Sequence, residues 1–371
     1  MKFKKLLNKN LYYIIAGEPS GDLHGASLMN EIKSYNPKIS FKGLGGSLMK
    51  NSGLETSIDF QRLSVMGFWE VLKDIRFFLK LKKNILESIL ESQPEKIILI
   101  DYPGFNLSLA KSLKSKVNIP IIYYISPQVW AWKKKRVYAI KKYVDELIVV
   151  FPFEVDWFKK YNFNVKFFGH PLIDQSKGLS LEEKNINSNT IALFPGSRIQ
   201  EIKKHLPILN QTVKLLKQKN SKLNYILNVP VNIPVSMVKS YIDSSIEVVQ
   251  KKSSDVFSMS SAAIVTSGTA TLECAIANTP FIVIYKTSFV SWVIVKIFLS
   301  VPFICIVNLL ANKKIIPELI QQKSNPKNIS QHLLRIMDNP EKIKKDLLKV
   351  KNMLGDGTSY KKTAQYIVNY D

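Results

Sequence analysis

Apolar runs rich in β-branched residues alternate along the chain with segments whose apolar residues recur at helical spacing. Residues 85–91 and 206–219 have the helical pattern. Continuous apolar strands separated by helices are typical of parallel sheets that helices cover on both faces. The strand-like runs cover residues 12–16, 96–100, 121–125, 146–151 and 165–168, and then 191–194, 224–229, 245–249, 262–266 and 281–285.

A polar stretch separates these two sets of strands. Residues 175–190 (QSKGLSLEEKNINSNT) lack a core pattern, as linkers do. The pattern therefore predicts an α/β fold with two Rossmann-like domains, residues 1–175 and 186–354, whose parallel sheets face a cleft. The tail, about residues 355–371, holds a short helix that can pack back on the first domain. Ligands of such sheets bind beyond the carboxyl ends of the strands, so the functional residues should directly follow strands.

The composition is that of an ordinary globular protein, but the charge is strongly positive. Of 371 residues, 46% are hydrophobic and 22% charged, which excludes a disordered, collagenous or disulfide-scaffold protein. The net charge of +24 points to an anionic partner, although a genome composition that favours Lys codons would also produce it. Only five of the 53 basic residues are Arg, the usual reader of bases, so we expect no nucleic-acid partner. Cys274 and Cys305 match no metal-ligand spacing and are expected to be reduced thiols.

Two apolar segments resemble targeting or membrane signals. The run at residues 11–16 is too short for a signal-peptide core and leads into Glu18 and Asp22. Residues 289–307 are mostly apolar, but Lys296 stands in the middle and Pro302 divides the segment. Because a charge at a bilayer centre costs about 3 kcal/mol, we expect a helix to about residue 299 and then a buried strand. The sequence thus predicts a cytoplasmic protein.

The turn after the first strand is rich in Gly, Ser and Asp. It reads AGEPSGDLHGA over residues 16–26, where Gly17 and Gly21 allow a tight turn. Ser20 or Asp22 can cap the next helix, whose N-terminus favours an anion, so we expect a ligand loop in which Gly17, Ser20 and Gly21 bind the substrate. The alternative is a plain strand-to-helix turn. We expect His24 to be a packed helix residue rather than a base.

A carboxylate follows the strand at residues 96–100. Asp101 opens the segment DYPGFN and should lie at the edge of the predicted cleft. It can accept a proton from a hydroxyl nucleophile. The alternative is that Asp101 caps the next helix and has only a structural role.

Two tryptophans stand beside four cations after the strand at residues 121–125. Trp130 and Trp132 precede the basic run at residues 133–136. Their faces can line a sugar or acyl site, while the cations can bind phosphate. A solvated basic helix with tryptophans in the core is the alternative.

Two further turns of this kind occur in the second half. The segment LFPGSR ends at Arg198, a residue type suited to bidentate phosphate contact. The segment SGTATLE places a run of small polar residues at a helix start, where it can cradle a diphosphate. Its carboxylate, one to two turns into the helix, can bind a ribose diol. The candidate residues of this second segment are Ser267, Gly268, Thr269 and Glu273.

Residues 65–83 have a different pattern, with an apolar face flanked by cations. This is typical of an interfacial helix on anionic lipid, whereas an ordinary core helix is the alternative. The apolar face contains Phe68, Leu72, Ile75, Phe78 and Leu79, and the basic flank contains Lys73, Arg76 and Lys80.

Together these segments resemble the lipid-A-disaccharide synthase family, bacterial inverting glycosyltransferases of the GT-B fold. Each segment alone is weak evidence, but the set runs in family order over nearly the whole chain. The matching segments are AGEPSGDLHGA (16–26), LSVMGFWEVL (63–72), DYPGFN (101–106), SPQVWAWKKKRV (126–137), FPFE (151–154), FGHPL (168–172), LFPGSR (193–198), SGTATLE (267–273) and NLLANKKIIPELIQ (308–321).

The resemblance implies a reaction and roles for particular residues. The donor is UDP-2,3-diacylglucosamine, the acceptor is 2,3-diacylglucosamine 1-phosphate (lipid X), and the products are a β-1,6-linked disaccharide phosphate and UDP. Asp101 takes the place of the proposed general base for the acceptor 6-hydroxyl. Arg198 and Asn308 match residues near the donor diphosphate, and Glu273 matches the position expected to hold the nucleotide sugar. No metal or other cofactor is implied, and Trp130 and Trp132 join the acceptor and membrane face.

Because both substrates carry acyl chains and phosphate, the resemblance also implies a peripheral protein on the inner face of the bacterial inner membrane, docked on anionic lipid. The sequence departs from the family in having Val307 where Pro usually precedes the matched Asn. Asn312 stands where the family often has Gly, but Asn tolerates a left-handed backbone.

Two other functions fit parts of the pattern. One is another GT-B enzyme that uses a UDP-sugar, such as a muramyl-lipid glycosyltransferase or a UDP-N-acetylglucosamine epimerase. An epimerase, however, has no use for the apolar face of residues 65–83. The other is a non-catalytic, basic membrane-binding protein, which would bind vesicles but not UDP.

Overall fold

The computed structural model describes residues 7–58, 75–132, 134–176, 189–288, 292 and 301–370. These residues form two compact units. Unit 1 comprises Met1–Asp174 and Gly355–Asp371, and unit 2 comprises Gln175–Leu354. Each unit is built on one parallel sheet, and in unit 1 helices pack on both faces of that sheet.

Unit 1 contains a seven-stranded sheet in the order β3-β2-β1-β4-β5-β6-β7, and each adjacent pair is parallel. The strands are β1 (Asn8–Ala16), β2 (Ser40–Leu44), β3 (Leu54–Glu55), β4 (Pro94–Ile100), β5 (Ile121–Tyr124), β6 (Glu146–Val149) and β7 (Lys166–Phe167). Its helices are α1 (Pro19–Tyr35), α2 (Ser47–Asn51), α3 (Ile75–Ser92), α4 (Pro103–Lys114), α5 (Arg136–Tyr143), α6 (Pro152–Lys159), α7 (Pro171–Gln175, whose last residue belongs to unit 2) and α15 (Ser359–Val368).

The central strands of unit 1 are mostly apolar because both of their faces are buried. In β1, Tyr13 and Ile15 face a core that also contains Ile85 of α3. The alternate residues Tyr12 and Ile14 face a second core on the other side of the sheet, shared with α1 and α15. Side chains alternate between the two faces of a strand, so a central strand that is buried on both faces is apolar on both.

Helix α15 is anchored to unit 1 at both ends. At its N-terminus, the Asp174 carboxylate accepts hydrogen bonds from the Ser359 N–H (3.1 Å), the Ser359 hydroxyl (2.6 Å) and the Tyr360 N–H (3.3 Å). At its C-terminus, the buried Lys96 ammonium donates to the Ile367 and Val368 carbonyls at 2.8 and 3.0 Å. These groups satisfy orphan donors and acceptors of the helix and complement its dipole.

Unit 2 contains a six-stranded parallel sheet in the order β10-β9-β8-β11-β12-β13. The strands are β8 (Thr190–Phe194), β9 (Asn224–Asn228), β10 (Ile246–Val249), β11 (Ala262–Thr266), β12 (Phe281–Tyr285) and β13 (Glu318–Ile320). The helices are α8 (Ile199–Lys219), α9 (Val235–Lys239), α10 (Ser253–Ser258), α11 (Thr269–Ile276), α12 (Ile306–Leu310), α13 (Pro326–Asp338) and α14 (Pro340–Met353), with a 3₁₀ turn at Gln321–Lys323.

The predicted buried strand after residue 299 is wrong. Residues 301–305 are irregular, and α12 begins at Ile306. The Glu318 carboxylate accepts the N–H groups of Ile304 and Cys305, both at 3.1 Å, so these donors are paired with a side chain instead of a strand. Of the described helices, none is both long enough and apolar enough to cross a membrane.

Candidate functional site

In each sheet, the chain adds strands first on one side of the sheet's first strand and then on its other side. The strand order therefore reverses at one place. In unit 1 this place lies between β1 and β4, and in unit 2 it lies between β8 and β11. Ligands of open α/β sheets bind at such points, beyond the carboxyl ends of the strands. The residues that follow these strands are Gly17 and Glu18, Asp101 and Tyr102, Pro195 to Arg198, and Ser267 and Gly268.

Asp101 has an uncommon backbone conformation at this point of unit 1. It and Tyr102 have φ angles of 43° and 49°, in the left-handed region that non-glycine residues rarely adopt. The surroundings hold the turn in place, because the Asn106 amide donates to the Asp101 carbonyl at 2.8 Å and the Tyr123 hydroxyl donates to the same oxygen. Strain of about 1–3 kcal/mol per residue is common at functional sites and persists only where neighbours enforce it.

The electrostatics of Asp101 suit a proton acceptor. Burial, with a smaller contribution from the negative charge of Glu18, raises the pKa of its carboxyl to about 6, while a backbone hydrogen bond from Tyr102 opposes the rise. The same burial and the same Glu18 charge raise the pKa of Tyr102 to about 12. A carboxylate whose pKa lies near the operating pH is well matched to general-base catalysis.

The turn after β1 is shaped to fit Tyr102. A Cβ atom on Gly17 would lie 2.3 Å from Cδ1 of the Tyr102 ring, so only glycine fits. Gly21 lies against β1, because its hypothetical Cβ would be 3.2 Å from the Ala16 Cβ. Ser20 is exposed in the first turn of α1, and Glu18, the N-cap residue, makes no side-chain cap hydrogen bond.

Two polar residues of the same segment have structural roles. Asp22 does not cap α1, because it lies within that helix and its carboxylate caps α2 instead. It accepts the N–H groups of Gly46 (2.7 Å), Leu48 (3.1 Å) and Met49 (3.0 Å). His24 is packed, as predicted, with Nδ1 2.7 Å from the Tyr360 hydroxyl, and burial lowers its pKa to about 4.

In unit 2, Arg198 is the N-cap residue of α8 and is 81% exposed. Its Nη1 lies 3.5 Å from Oε1 of Glu201, whose other oxygen accepts the Ser197 N–H at 3.2 Å. An exposed ion pair of this kind contributes little free energy, so the guanidinium can exchange Glu201 for a bound anion.

The turn between β11 and α11 presents small polar residues. Gly268 has a φ of 158° and no heavy atom within 4 Å of a hypothetical Cβ, so its own backbone shape requires glycine. The Ser267 hydroxyl donates to the Ile304 carbonyl at 3.3 Å, and Thr269 begins α11. Further along α11, burial raises the pKa of Glu273, whereas a hydrogen bond from Ser253 opposes that rise.

Asn308 is buried, and all of its polar side-chain atoms are engaged. Its Nδ2 donates to the Ile316 carbonyl (2.9 Å) and to Glu318 Oε1 (2.8 Å), and its Oδ1 accepts the N–H groups of Ile315 and Ile316. These contacts make it a positioning residue for the chain that leads to β13. Asn312 has a φ of 48°, the left-handed backbone that its place in the motif predicts.

Sequence reasoning missed His205, which links three strand ends of unit 2. Its Nδ1 lies 2.8 Å from the Pro195 carbonyl, after β8, and 3.4 Å from the Thr266 hydroxyl, at the end of β11. Its Nε2 accepts the Lys286 N–H, after β12, at 3.0 Å. Burial lowers the pKa of this imidazole, which keeps it neutral with the proton on Nδ1. A single His in a helix gives no sequence signal for such a role.

The two tryptophans of unit 1 have different environments. Trp130 is only 4% exposed, and its indole N–H donates to Glu154 Oε1 at 2.9 Å. It therefore does not lie on an exposed acceptor or membrane face, because Glu154 and surrounding aromatic rings hold it in the core. Trp132 is 57% exposed. Burial raises the pKa of Glu154 to about 7, against hydrogen bonds that lower it.

Of the segment predicted as an interfacial helix, residues 75–83 are described, and they lie in α3. Ile75 and Leu79 are 58% and 60% exposed, and Arg76 and Lys80 are exposed beside them. Phe78 is half-buried, with its ring 6.5 Å from that of Phe105, so it packs against the core rather than facing outward. Phe68, Leu72 and Lys73 lie outside the described residues.

Solved structures with low sequence identity share the overall fold. A UDP-N-acetylglucosamine 2-epimerase from Neisseria meningitidis bound to UDP-GlcNAc matches with a TM-score of 0.65 at 12% identity, covering 96% of this chain and 99% of that one. The calicheamicin glycosyltransferase CalG4 matches with a TM-score of 0.63 at 11% identity, covering 98% of each chain. Such neighbours confirm the predicted GT-B fold class.

Sequence relatives are more specific. A family model described as Lipid-A-disaccharide synthetase matches residues 12–368. Lipid-A-disaccharide synthase 1 of Legionella pneumophila (strain Philadelphia 1) is 38% identical over 336 residues, which cover 88% of each chain. The lipid-A-disaccharide synthase of Syntrophus aciditrophicus is 37% identical over 342 residues, 89% of each chain. The chain therefore belongs to the lipid-A-disaccharide synthase family, glycosyltransferases of lipid A biosynthesis, and the predicted resemblance is confirmed.

Proposed function

We propose that this chain transfers the sugar of UDP-2,3-diacylglucosamine to the 6-hydroxyl of lipid X, with inversion at the anomeric carbon. The products are the β-1,6-linked disaccharide 1-phosphate and UDP. The observation that carries the proposal is Asp101, a carboxylate at the strand crossover of unit 1 whose pKa is raised to about 6. An inverting transfer needs one base, and this environment provides one.

The acceptor hydroxyl loses its proton to Asp101 as its oxygen attacks the anomeric carbon. The new C–O bond forms on the face opposite the departing phosphate, so the sugar configuration inverts. The transition state has oxocarbenium character, as in glycoside hydrolysis. Gly17 packs against Tyr102, which follows Asp101, and Ser20 and Gly21 lie in the first turn of α1, so this turn is proposed to bind the UDP-sugar beside the base.

The departing UDP gains negative charge as the bond to the sugar breaks. Arg198 is exposed at the start of α8, and the Ser267–Thr269 turn begins α11, so both can stabilise this charge with a guanidinium and main-chain N–H groups. Glu273 accepts hydrogen bonds from the nucleotide's ribose. Asn308 acts by holding the adjacent chain through its contacts with Ile316 and Glu318.

Both substrates are lipids, so the protein works at a membrane surface. The exposed Ile75 and Leu79, flanked by Arg76 and Lys80, support docking of α3 on anionic lipid at the inner face of the inner membrane.

The proposal is tested by incubating the full chain with UDP-2,3-diacylglucosamine and lipid X in mixed detergent micelles. We expect UDP release and one disaccharide monophosphate, in equal amounts by mass spectrometry. UDP release that does not require lipid X, or no UDP release at all, would contradict the proposed reaction.

A further inference from the structure

Unit 2 contains a cavity of about 780 Å³ that no step of the proposed reaction uses. It lies beyond the carboxyl ends of β12 and β13, because its walls include Lys286 and Thr287, which follow β12, and Gln321, which follows β13. Ligand sites of proteins commonly measure about 300–1,000 Å³. This cavity is therefore large enough for more than a bound ion or water.

The lining of the cavity is amphipathic. Pro302, Phe303 and Ile320 contribute apolar surface, while Lys286 and Lys323 are exposed cations beside them. Apolar walls accept hydrocarbon, and the lysines attract an anion. The chemistry fits a ligand that carries both a hydrocarbon chain and negative charge.

The apolar wall is held in place by hydrogen bonds to the half-buried Glu318. Glu318 accepts the N–H groups of Ile304 and Cys305 and the Nδ2 of Asn308, with all three contacts between 2.8 and 3.1 Å. Ile304 directly follows the wall residues Pro302 and Phe303, so this carboxylate fixes the chain that carries them. The cavity is thus preformed, which reduces the free energy needed to order it on binding.

The cavity adjoins the turn proposed to hold the diphosphate. The Ser267 hydroxyl donates to the Ile304 carbonyl at 3.3 Å, and the Ser267 N–H donates to the Ile284 carbonyl of β12 at 3.2 Å. These bonds connect the turn to Ile304, the residue after the wall residue Phe303, and to β12, which ends directly before the wall residue Lys286.

We propose that this cavity binds an acyl chain of the UDP-sugar donor. The inference rests on the proposed function and extends it, since it assigns the hydrocarbon of the donor to unit 2, separate from the exposed face of α3. The lysines at the cavity attract the diphosphate of the same molecule, and the apolar wall distinguishes an acylated donor from a simple UDP-sugar.

The test compares the binding of three probes to the full chain by titration calorimetry in the same detergent. The probes are UDP, UDP-N-acetylglucosamine and UDP-2,3-diacylglucosamine. In Phe303→Gln and Ile320→Gln we expect at least tenfold weaker binding of the diacylated donor, and less than twofold change for UDP and UDP-N-acetylglucosamine. Val231→Gln, at a residue that is 83% exposed and does not line the cavity, is the matched control and should change none of the three.

A second variant keeps the wall apolar. Phe303→Trp narrows the cavity without adding a polar group, so we expect it to bind donors with shorter acyl chains in preference to longer ones. Unchanged binding of the diacylated donor to the Gln variants, or an equal loss for all three probes, would overturn the inference. If the wild-type chain does not bind UDP, the proposed function itself is contradicted and this inference falls with it.

Discussion

At the residue scale, the proposed site depends on the raised pKa of the Asp101 carboxyl. Burial is the main cause of its raised pKa, and the nearby Glu18 charge is the second. The ionised form is the base, so kcat/KM should fall as the pH drops below about 6, where Asp101 becomes protonated.

Removing the Glu18 charge tests this coupling. In Glu18→Gln we expect the acidic limb of the kcat/KM profile to move to lower pH, because loss of a like charge lets the Asp101 pKa fall toward its ordinary value of 3.8. Glu31→Gln, more than three turns further along α1, is the control and should leave the limb in place. A limb that does not move in Glu18→Gln would show that another group limits the rate.

Trp130 and Trp132 offer a matched test of burial. Trp130→Phe removes the donor to Glu154 and leaves a buried carboxylate oxygen unpaired, which should lower the free energy of unfolding by about 1–3 kcal/mol. Trp132→Phe changes an exposed residue and should lower it by less than about 0.5 kcal/mol. Urea denaturation of both variants measures the difference, and equal losses would contradict the structural role assigned to Trp130.

The apolar run at residues 96–100 is enough to predict that Asp101 follows a strand, but it does not predict the raised pKa of Asp101. Local sequence placed Trp130 on the acceptor and membrane face, because its buried partner Glu154 lies 24 residues away in the chain. It also did not reveal that the Asn308 side chain donates a hydrogen bond to Glu318. Such roles depend on side chains that the fold brings together from separate elements. A short motif alone therefore cannot separate a ligand contact from a positioning contact.

At the element scale, all ten strand-like runs are strands, within a few residues at their ends. The prediction missed β2, β3 and β13. These are edge or near-edge strands of two to five residues, and β2 contains Gly43, so they lack the long apolar run that identifies a buried strand. Helix α8 begins at Ile199 rather than at residue 206, and Pro207 lies inside it.

Helix α3 makes a testable surface. Replacing Ile75 and Leu79 together with Ser should reduce co-sedimentation with phosphatidylglycerol vesicles at least tenfold, because each buried apolar side chain contributes about 1.5–3 kcal/mol. The control pair, Val231→Ser with Leu348→Ser, changes two exposed apolar residues of unit 2 and should bind as the wild type does. Undiminished sedimentation of the α3 variant would remove this helix from the membrane contact.

At the scale of the whole molecule, the chain forms two α/β units, and each has polar groups at its strand crossover. Unit 1 carries Asp101, and unit 2 carries Arg198 and the Ser267–Thr269 turn. Alternation of strands and helices was sufficient to predict this architecture, because the pattern is repeated along most of the chain.

The central claim is that Asp101 is the base of a sugar transfer, and one comparison tests it most directly. Wild type and Asp101→Asn are assayed with UDP-2,3-diacylglucosamine and lipid X at pH 8, and UDP affinity is measured on the same preparations. We predict that kcat falls at least a hundredfold in the variant, because an amide cannot take the proton, while the Kd for UDP changes less than twofold. Turnover within a few-fold of wild type would contradict the account.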